Sequence, residues 1–367
     1  MELEPALFQE NERLARATDE RRYVEIGELA FERGGSIASV TVAYECWGEL
    51  SKSKDNAVLI CHALTGDSHA VGWWDRIVGP GKPVDTEKLF VICTNCLGGC
   101  QGTTGPSSPA PDGSTYGSRF PEITLGDTVE AMRRALRGIG VERLYAAAGG
   151  SMGGMQILEW TVRYPGEIEK AWITAACAAH SAMQIGFNEA QRQAVLRDPK
   201  WRGGDYPADD PPANGLSVSR MIAHLLFLSE ASLAQKFGRG RQDRAPENAA
   251  TDVPSTWHPR QFQVESYLNY QGDKFTKRFD AGSFVCLTKA MNAWECASLG
   301  GSTTEYLFTS FASDWLYPPH QSEQLHEMAL AAGCESRWVN VELPYGHDAF
   351  LLDAEHQGRA VREFLGT

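Results

Sequence analysis

Short apolar runs rich in β-branched residues alternate with helical patterns through the first half of the chain. Residues 56–61 (NAVLIC), 89–94 (LFVICT), 143–148 (RLYAAA) and 170–175 (KAWITA) are apolar, short and bounded by polar or glycine-containing segments, which predicts strands. Between the second and third, Thr124-Leu-Gly-Asp127 resembles a capping box with Asp in place of Glu. It opens a helix predicted over 128–137, which stops at Gly138. Two more strands are predicted over 305–311 (EYLFTSF) and 337–343 (RWVNVEL), with a helix over 322–332 between them. This grammar predicts an α/β fold: a mostly parallel sheet with helices on both faces. From 180 to 300 the period changes to that of helices, predicted over 185–196, 217–228, 262–270 and 283–294 and interrupted by a polar loop at 239–261. The organisation that follows is a core of 1–179 and 301–367 with a helical lid inserted at 180–300. No fixed-period repeat and no low-complexity tract is visible.

A chain of 367 residues with 43% hydrophobic content can bury a sizeable core. The net charge of −13 and the lack of a polybasic run argue against nucleic acid as a partner. The overall field repels anions, so an anionic substrate must be met by a few local cations. An acidic N-terminus without an apolar stretch, and no window near ~18 consecutive apolar residues, predict a cytoplasmic protein without a membrane anchor. Nine cysteines, an odd number scattered through apolar runs, suit reduced thiols better than a disulfide framework. Cys93, Cys96 and Cys100 offer three thiolates but no adjacent fourth ligand, so no metal is expected.

The chemistry is concentrated in Gly149-Gly-Ser-Met-Gly-Gly154, which directly follows one predicted strand and precedes an amphipathic helical run over 155–164. That context suits a G-x-S-x-G nucleophile elbow, in which flanking glycines permit a strained turn and close helix packing. The Gly-Lys-Ser/Thr of a phosphate loop is absent, as is an acid at the usual offset of a dinucleotide fold. Ser151 needs a base and a group to orient it, in the chain order Ser, Asp, His. Asp314 follows the 305–311 strand and His347 follows the last strand, which completes that order. Oxyanion donors are expected from the backbone N–H groups of Leu64, in the Cys61–Gly66 turn, and of Met152. His62 and His69 precede the nucleophile and read as scaffold. The separation of Ser151 and Asp314 exceeds two β-α units by about a hundred residues. Those residues are the helical insertion, which would roof the serine and favour transfer over hydrolysis.

Residues 61–66 (CHALTG), 72–83 (GWWDRIVGPGKP), 95–108 (NCLGGCQGTTGPSS), 149–154 (GGSMGG), 262–270 (FQVESYLNY), 313–319 (SDWLYPP) and 346–351 (GHDAFL) resemble the homoserine O-acetyltransferases of the α/β-hydrolase superfamily. The resemblance implies acetyl transfer from acetyl-CoA, a co-substrate with no further cofactor, to the hydroxyl of L-homoserine in methionine biosynthesis. It also implies a homodimer joined through the lid. By the same resemblance Arg220 would take the acceptor's carboxylate, and Asp348 stands where it could receive the ammonium. The chain departs from the family's pattern at Leu226-Phe227, where a Thr-Tyr pair is common, and at 108–113, in place of an Asn-Pro-x-Thr-Gly turn. Related enzymes that use succinyl-CoA or accept L-serine remain open at this point, as does a serine esterase with the same three residues.

Overall fold

The computed structural model of the protein describes residues 20–242 and 262–367. Its central sheet has eight strands: β1 (Arg22–Glu25), β2 (Thr41–Trp47), β3 (Ala57–Cys61), β4 (Phe90–Thr94), β5 (Leu144–Gly150), β6 (Ile168–Thr174), β7 (Glu305–Phe311) and β8 (Ser336–Val341). They lie in the order β1-β2-β4-β3-β5-β6-β7-β8. β2 pairs antiparallel with β1 and β4, and the remaining neighbours are parallel. All six strands expected from the sequence are present, with ends shifted by at most two residues. β1 and β2 were not expected. In β2 the apolar run is broken by Glu45, which is fully buried and accepts hydrogen bonds from Ser68 Oγ (2.9 Å) and His69 Nδ1 (2.7 Å). Those tertiary partners make a charged residue tolerable in a sheet, and local pattern does not show them.

Two apolar layers sandwich the sheet. Leu59 and Cys61 of β3 face one layer and Val58 and Ile60 the other, the period of two that a strand buried on both faces requires. Helices α1 (Leu125–Gly138) and α2 (Met152–Arg163) pack on the first face. The capping box at the start of α1 is real: Thr124 Oγ1 accepts from Asp127 N (3.0 Å), and Thr124 N donates to Asp127 Oδ2 (2.8 Å). The helix therefore begins at Leu125, three residues earlier than expected.

Between β6 and β7 run α3 (Ala182–Leu196), α4 (Ala213–Phe227), α5 (Glu230–Lys236), α6 (Gln263–Thr276) and α7 (Ala281–Ala293). All four expected helices of this segment are present, and the short α5 is additional. Most of the expected 239–261 loop lies outside the described residues. α6 extends six residues beyond its expected end and carries Gly272 where it packs closely on α4. A Cβ there would sit 2.9 Å from the Ser217 carbonyl oxygen of α4. Helices α8 (Pro319–Ala331) and α9 (His356–Leu365) complete the chain. Since β3 and β5–β8 run in parallel, the loops after β3, β5, β7 and β8 meet at one edge of the sheet, the usual place for a ligand site in an α/β fold.

Candidate active site

β5 passes into α2 through a single residue. Ser151 has φ 55° and ψ −123°, a conformation that costs on the order of 1–3 kcal/mol for a non-glycine residue. Its amide donates to Thr174 O (3.1 Å) on β6, which helps hold the turn. The flanking glycines are needed for space. A Cβ at Gly149 would lie 2.8 Å from the Cys61 oxygen, and one at Gly153 would lie 2.8 Å from the Cys61 carbonyl carbon. Any side chain at either position would push α2 away from β3. The Ser151 side chain opens into a cavity whose wall also contains His347, Asp348, Arg220, Tyr317 and Leu64.

After β7, Asp314 uses both carboxylate oxygens. Oδ1 accepts from the amides of Leu316 (3.0 Å) and Tyr317 (2.8 Å), and Oδ2 lies 2.7 Å from His347 Nδ1. An ionised carboxylate only accepts, so Nδ1 carries the proton and the Nε2 lone pair is left for a donor. The imidazole is fixed on its faces as well as its edge. Tyr317 stacks on it at 4.9 Å and 20°, and Phe350 meets it edge-on at 5.2 Å. The loop that carries His347 is tied to the helical segment: Pro344 O accepts from Ser229 Oγ and Ser232 Oγ, the latter at 2.6 Å. Gly346, at φ 71°, leaves no room for a Cβ, which would sit 2.6 Å from Phe227 O and Ser229 N.

Met152 is the first residue of α2, so its N–H has no acceptor within the helix. Leu64 occupies the turn closed by Gly66 N to Ala63 O (2.9 Å) and lines the same cavity. His62 has no free ring nitrogen. Nε2 accepts from Cys96 N (3.0 Å), so Nδ1–H donates to Ala63 O (2.7 Å), and burial lowers its pKa. His69 is held by Glu45, a hydrogen bond that raises its pKa. Both histidines are thus scaffold, as expected. Of the three clustered cysteines, Cys93 Sγ donates to Asp67 O (3.5 Å) and Cys100 Sγ accepts from Asp280 N (3.3 Å). All nine cysteines are free thiols. Among the described residues, Glu20, Glu45 and His69 are the only group of three or more potential metal-ligand atoms within 4.8 Å of one another.

Arg220, Ala223, His224 and Phe227 share the cavity face of α4 at helical spacing. The Arg220 guanidinium lies 4.8 Å from the Phe275 ring and 5.4 Å from the Phe227 ring, with Nη1 3.4 Å from Thr65 Oγ1. Burial, reinforced by Arg278 and opposed by Asp348, pushes its pKa down to about 9, so it is still a cation at neutral pH. Asp348 moves the other way. Burial raises it to about 6 against the pull of His347, Arg220 and Lys236. Arg220 and Lys274 are the arginine and lysine side chains in the cavity wall, Asp348 is an acid there whose charge is easily lost, and no hydrogen bond joins Arg220 to Asp348. Where the family motif has a tyrosine, Phe227 offers no hydroxyl, but Tyr267 of α6 places one in the same cavity, 3.1 Å from His224 Nδ1. Sequence reasoning singled out Ser151, Asp314, His347, Leu64, Met152, Arg220 and Asp348, and the fold brings all seven to this edge of the sheet. It missed Tyr317, His180 and Tyr267. Tyr317 and Tyr267 stand inside the resemblance motifs, and His180 lies shortly after β6 on the active edge.

Residues 56–354 match the family described as alpha/beta hydrolase fold. The homoserine O-acetyltransferase of Solidesulfovibrio magneticus is 44% identical, over 94% of this chain and 92% of its own. The enzyme of that name from Caulobacter vibrioides is also 44% identical, over 92% of both chains. The chain belongs to the homoserine O-acetyltransferase family. Solved structures agree on the fold. Homoserine O-acetyltransferase from Bacillus anthracis superposes with a TM-score of 0.83 at 26% identity, covering 95% of this chain and 97% of that one. Esterase E22 does so with the same TM-score at 27% identity, covering 94% and 99%. The backbone is thus shared by a transferase and an esterase, and the side chains of the cavity have to distinguish them. Among the described residues no single helix is long and apolar enough to cross a membrane.

Proposed function

We propose that the protein transfers the acetyl group of acetyl-CoA to the hydroxyl of L-homoserine through an acyl-enzyme on Ser151, as a cytoplasmic step of methionine biosynthesis. The observation that carries this reading is the pair of opposite charges, Arg220 and Asp348, in the cavity beside His347. A zwitterionic amino acid needs one partner for its carboxylate and another for its ammonium once it leaves water. An esterase whose acceptor is water needs neither.

In the first half-reaction His347 Nε2 takes the Ser151 proton, and the oxygen attacks the thioester carbon. The N–H groups of Leu64 and Met152 receive the oxyanion, and the CoA sulfur leaves with the proton from the imidazolium. In the second, His347 deprotonates the acceptor hydroxyl, which attacks the acetyl carbon, and Ser151 regains a proton as it departs. A double displacement of this kind is ping-pong. Helices α3–α7 act as the lid that limits water to the acceptor site. Met183 and Ile185 on α3, Val218 and Leu225 on α4 and Tyr270 on α6 are exposed apolar side chains, which supports a homodimer through this segment.

Free thiol is followed with acetyl-CoA alone, then with L-homoserine, then with L-serine, and succinyl-CoA is tested in parallel. A stoichiometric burst alone and sustained turnover only with L-homoserine are expected. Fast turnover without any acceptor would instead establish an esterase, to which the E22 likeness points. A strong preference for succinyl-CoA or L-serine would move the chain to one of those activities. Arg220→Lys, which loses the planar fork that grips a carboxylate, is expected to raise the KM for L-homoserine roughly tenfold while leaving the burst rate intact.

A further inference from the structure

Arg278 lies between α6 and α7 and is not part of the wall of the cavity that holds Ser151, yet it reaches the turn that carries Leu64. Its Nη1 donates to Thr65 O (2.8 Å). The arginine is itself held: its amide donates to Phe275 O (3.1 Å), its carbonyl accepts from Gln101 Nε2 (2.5 Å), and its guanidinium lies 5.2 Å from the Phe275 ring. Thr65 O belongs to the peptide group whose N–H is that of Gly66, and Gly66 N donates to Ala63 O (2.9 Å). Ala63 O in turn belongs to the peptide group whose N–H is that of Leu64, and His62 Nδ1 donates to the same oxygen (2.7 Å). A trans peptide carries its C=O and N–H antiparallel, so the guanidinium, the Gly66 peptide and the Leu64 peptide stand head to tail. The chain ends at the Leu64 N–H, which among the described residues has no acceptor in the protein, while Leu64 lines the cavity.

We propose that Arg278 is a positioning residue for the oxyanion site, whose charge-assisted hydrogen bond to Thr65 O aligns and polarises the two peptide groups that end at the Leu64 N–H. The proposal rests on the reading of Ser151 as the acyl carrier and of the Leu64 N–H as an oxyanion donor. A cation at the oxygen end of a peptide group draws charge away from its N–H and makes that N–H a stronger donor. A head-to-tail chain passes the gain on. The same bond fixes the turn before substrate arrives, so the N–H need not reorganise as charge develops on the carbonyl oxygen. Both half-reactions pass through a tetrahedral oxyanion, the first on attack by Ser151 and the second on attack by the acceptor hydroxyl. Arg278 therefore serves both alike, and binding of the acceptor is left to Arg220 and Asp348.

The test is Arg278→Met, which keeps an apolar stem beside Phe275 and loses the donors, together with Arg278→Lys, which keeps the charge. Rapid mixing reads the burst of CoA release and the removal of acetyl by L-homoserine, and infrared difference spectra read the carbonyl stretch of isotope-labelled acetyl on Ser151. Removing a whole oxyanion donor costs about 10²–10³-fold, so weakening one in Arg278→Met is expected to slow both half-reactions alike, on the order of tenfold. The KM for L-homoserine is expected to stay put, and the stretch to move to higher wavenumber as the carbonyl loses its pull. Arg278→Lys is expected to lie between Arg278→Met and the wild type in both rates and stretch. Melting temperatures identify the folded variants, and Arg278→Gln, a neutral donor, replaces Arg278→Met with the same expected directions if the latter does not fold. Wild-type rates in both half-reactions, a change confined to KM, or slowing with an unmoved stretch overturns the proposal. If the wild type takes no acetyl from acetyl-CoA, the donor assignment fails, and acetylation of Ser151 by p-nitrophenyl acetate gives the same rates and stretch and decides on Arg278. A wild-type Ser151 that neither reagent acetylates overturns the reading of the serine and this proposal with it.

Discussion

Asp314→Asn changes one atom of the site and has a consequence that follows from the hydrogen bonds. Wild-type Oδ1 is fixed by two backbone donors, the amides of Leu316 and Tyr317, and Oδ2 faces His347 Nδ1. The asparagine oxygen will stay with the two amides, because turning the NH2 group toward them would set donors against donors. Its nitrogen must then face Nδ1 and donate to it. The imidazole is driven into the other tautomer, with the proton on Nε2, where it cannot take one from Ser151. Loss of the correct tautomer in a Ser-His-Asp set costs roughly 10⁴-fold in kcat, about 5.5 kcal/mol of barrier. Asparagine is a better probe than alanine, which would leave the two buried amides without an acceptor and lower stability by a further ~1–3 kcal/mol. The assay is the pre-steady-state burst of CoA, with the melting temperature recorded alongside. A folded Asp314→Asn enzyme that kept more than about a tenth of the burst rate would refute the assignment of Asp314 as the group that sets the tautomer.

Two other outcomes follow from the site. Gly153→Ala drives a methyl group into the Cys61 carbonyl, backbone against backbone, so it is expected to destabilise by about 1–3 kcal/mol or more and to depress expression and activity together; a variant with wild-type melting temperature would contradict this packing. Asp348, with a folded pKa near 6, is charged above that pH and neutral below it, so the KM for L-homoserine is expected to rise as the pH falls through about 6, and Asp348→Asn should have a uniformly high KM without that inflection. The folded state raises this pKa, so it disfavours the charged form. Asp348→Asn is accordingly expected to raise the melting temperature at pH 8, an advantage that fades as the pH drops below about 6.

Much of the site was legible because strand-end chemistry leaves local marks. Gly149 and Gly153 flank Ser151 at a strand-to-helix junction, and Asp314 and His347 each follow an apolar run, so chain order sufficed to place them on one edge. Illegible features are those whose meaning depends on a distant partner. The strand around Glu45 was not expected because Ser68 and His69, which hold its carboxylate, are distant in sequence, and the continuation of α6 through Gly272 depends on Ser217 of α4. Tyr317 looks like an ordinary aromatic in a loop. Its placement against His347 is set by the backbone bonds that Asp314 accepts, which no periodicity records.

The joint between α4 and α5 has a consequence for how such an enzyme can change. Ser229 and Ser232 hold Pro344, and Phe227 O and Ser229 N press on Gly346, so the helical segment and the loop that carries His347 are fastened at one seam. Replacing this junction wholesale would take away the hydrogen bonds that Pro344 O accepts and so loosen the loop that carries His347. A single inward-facing side chain of α4, such as Arg220 or Phe227, can be exchanged without disturbing that seam.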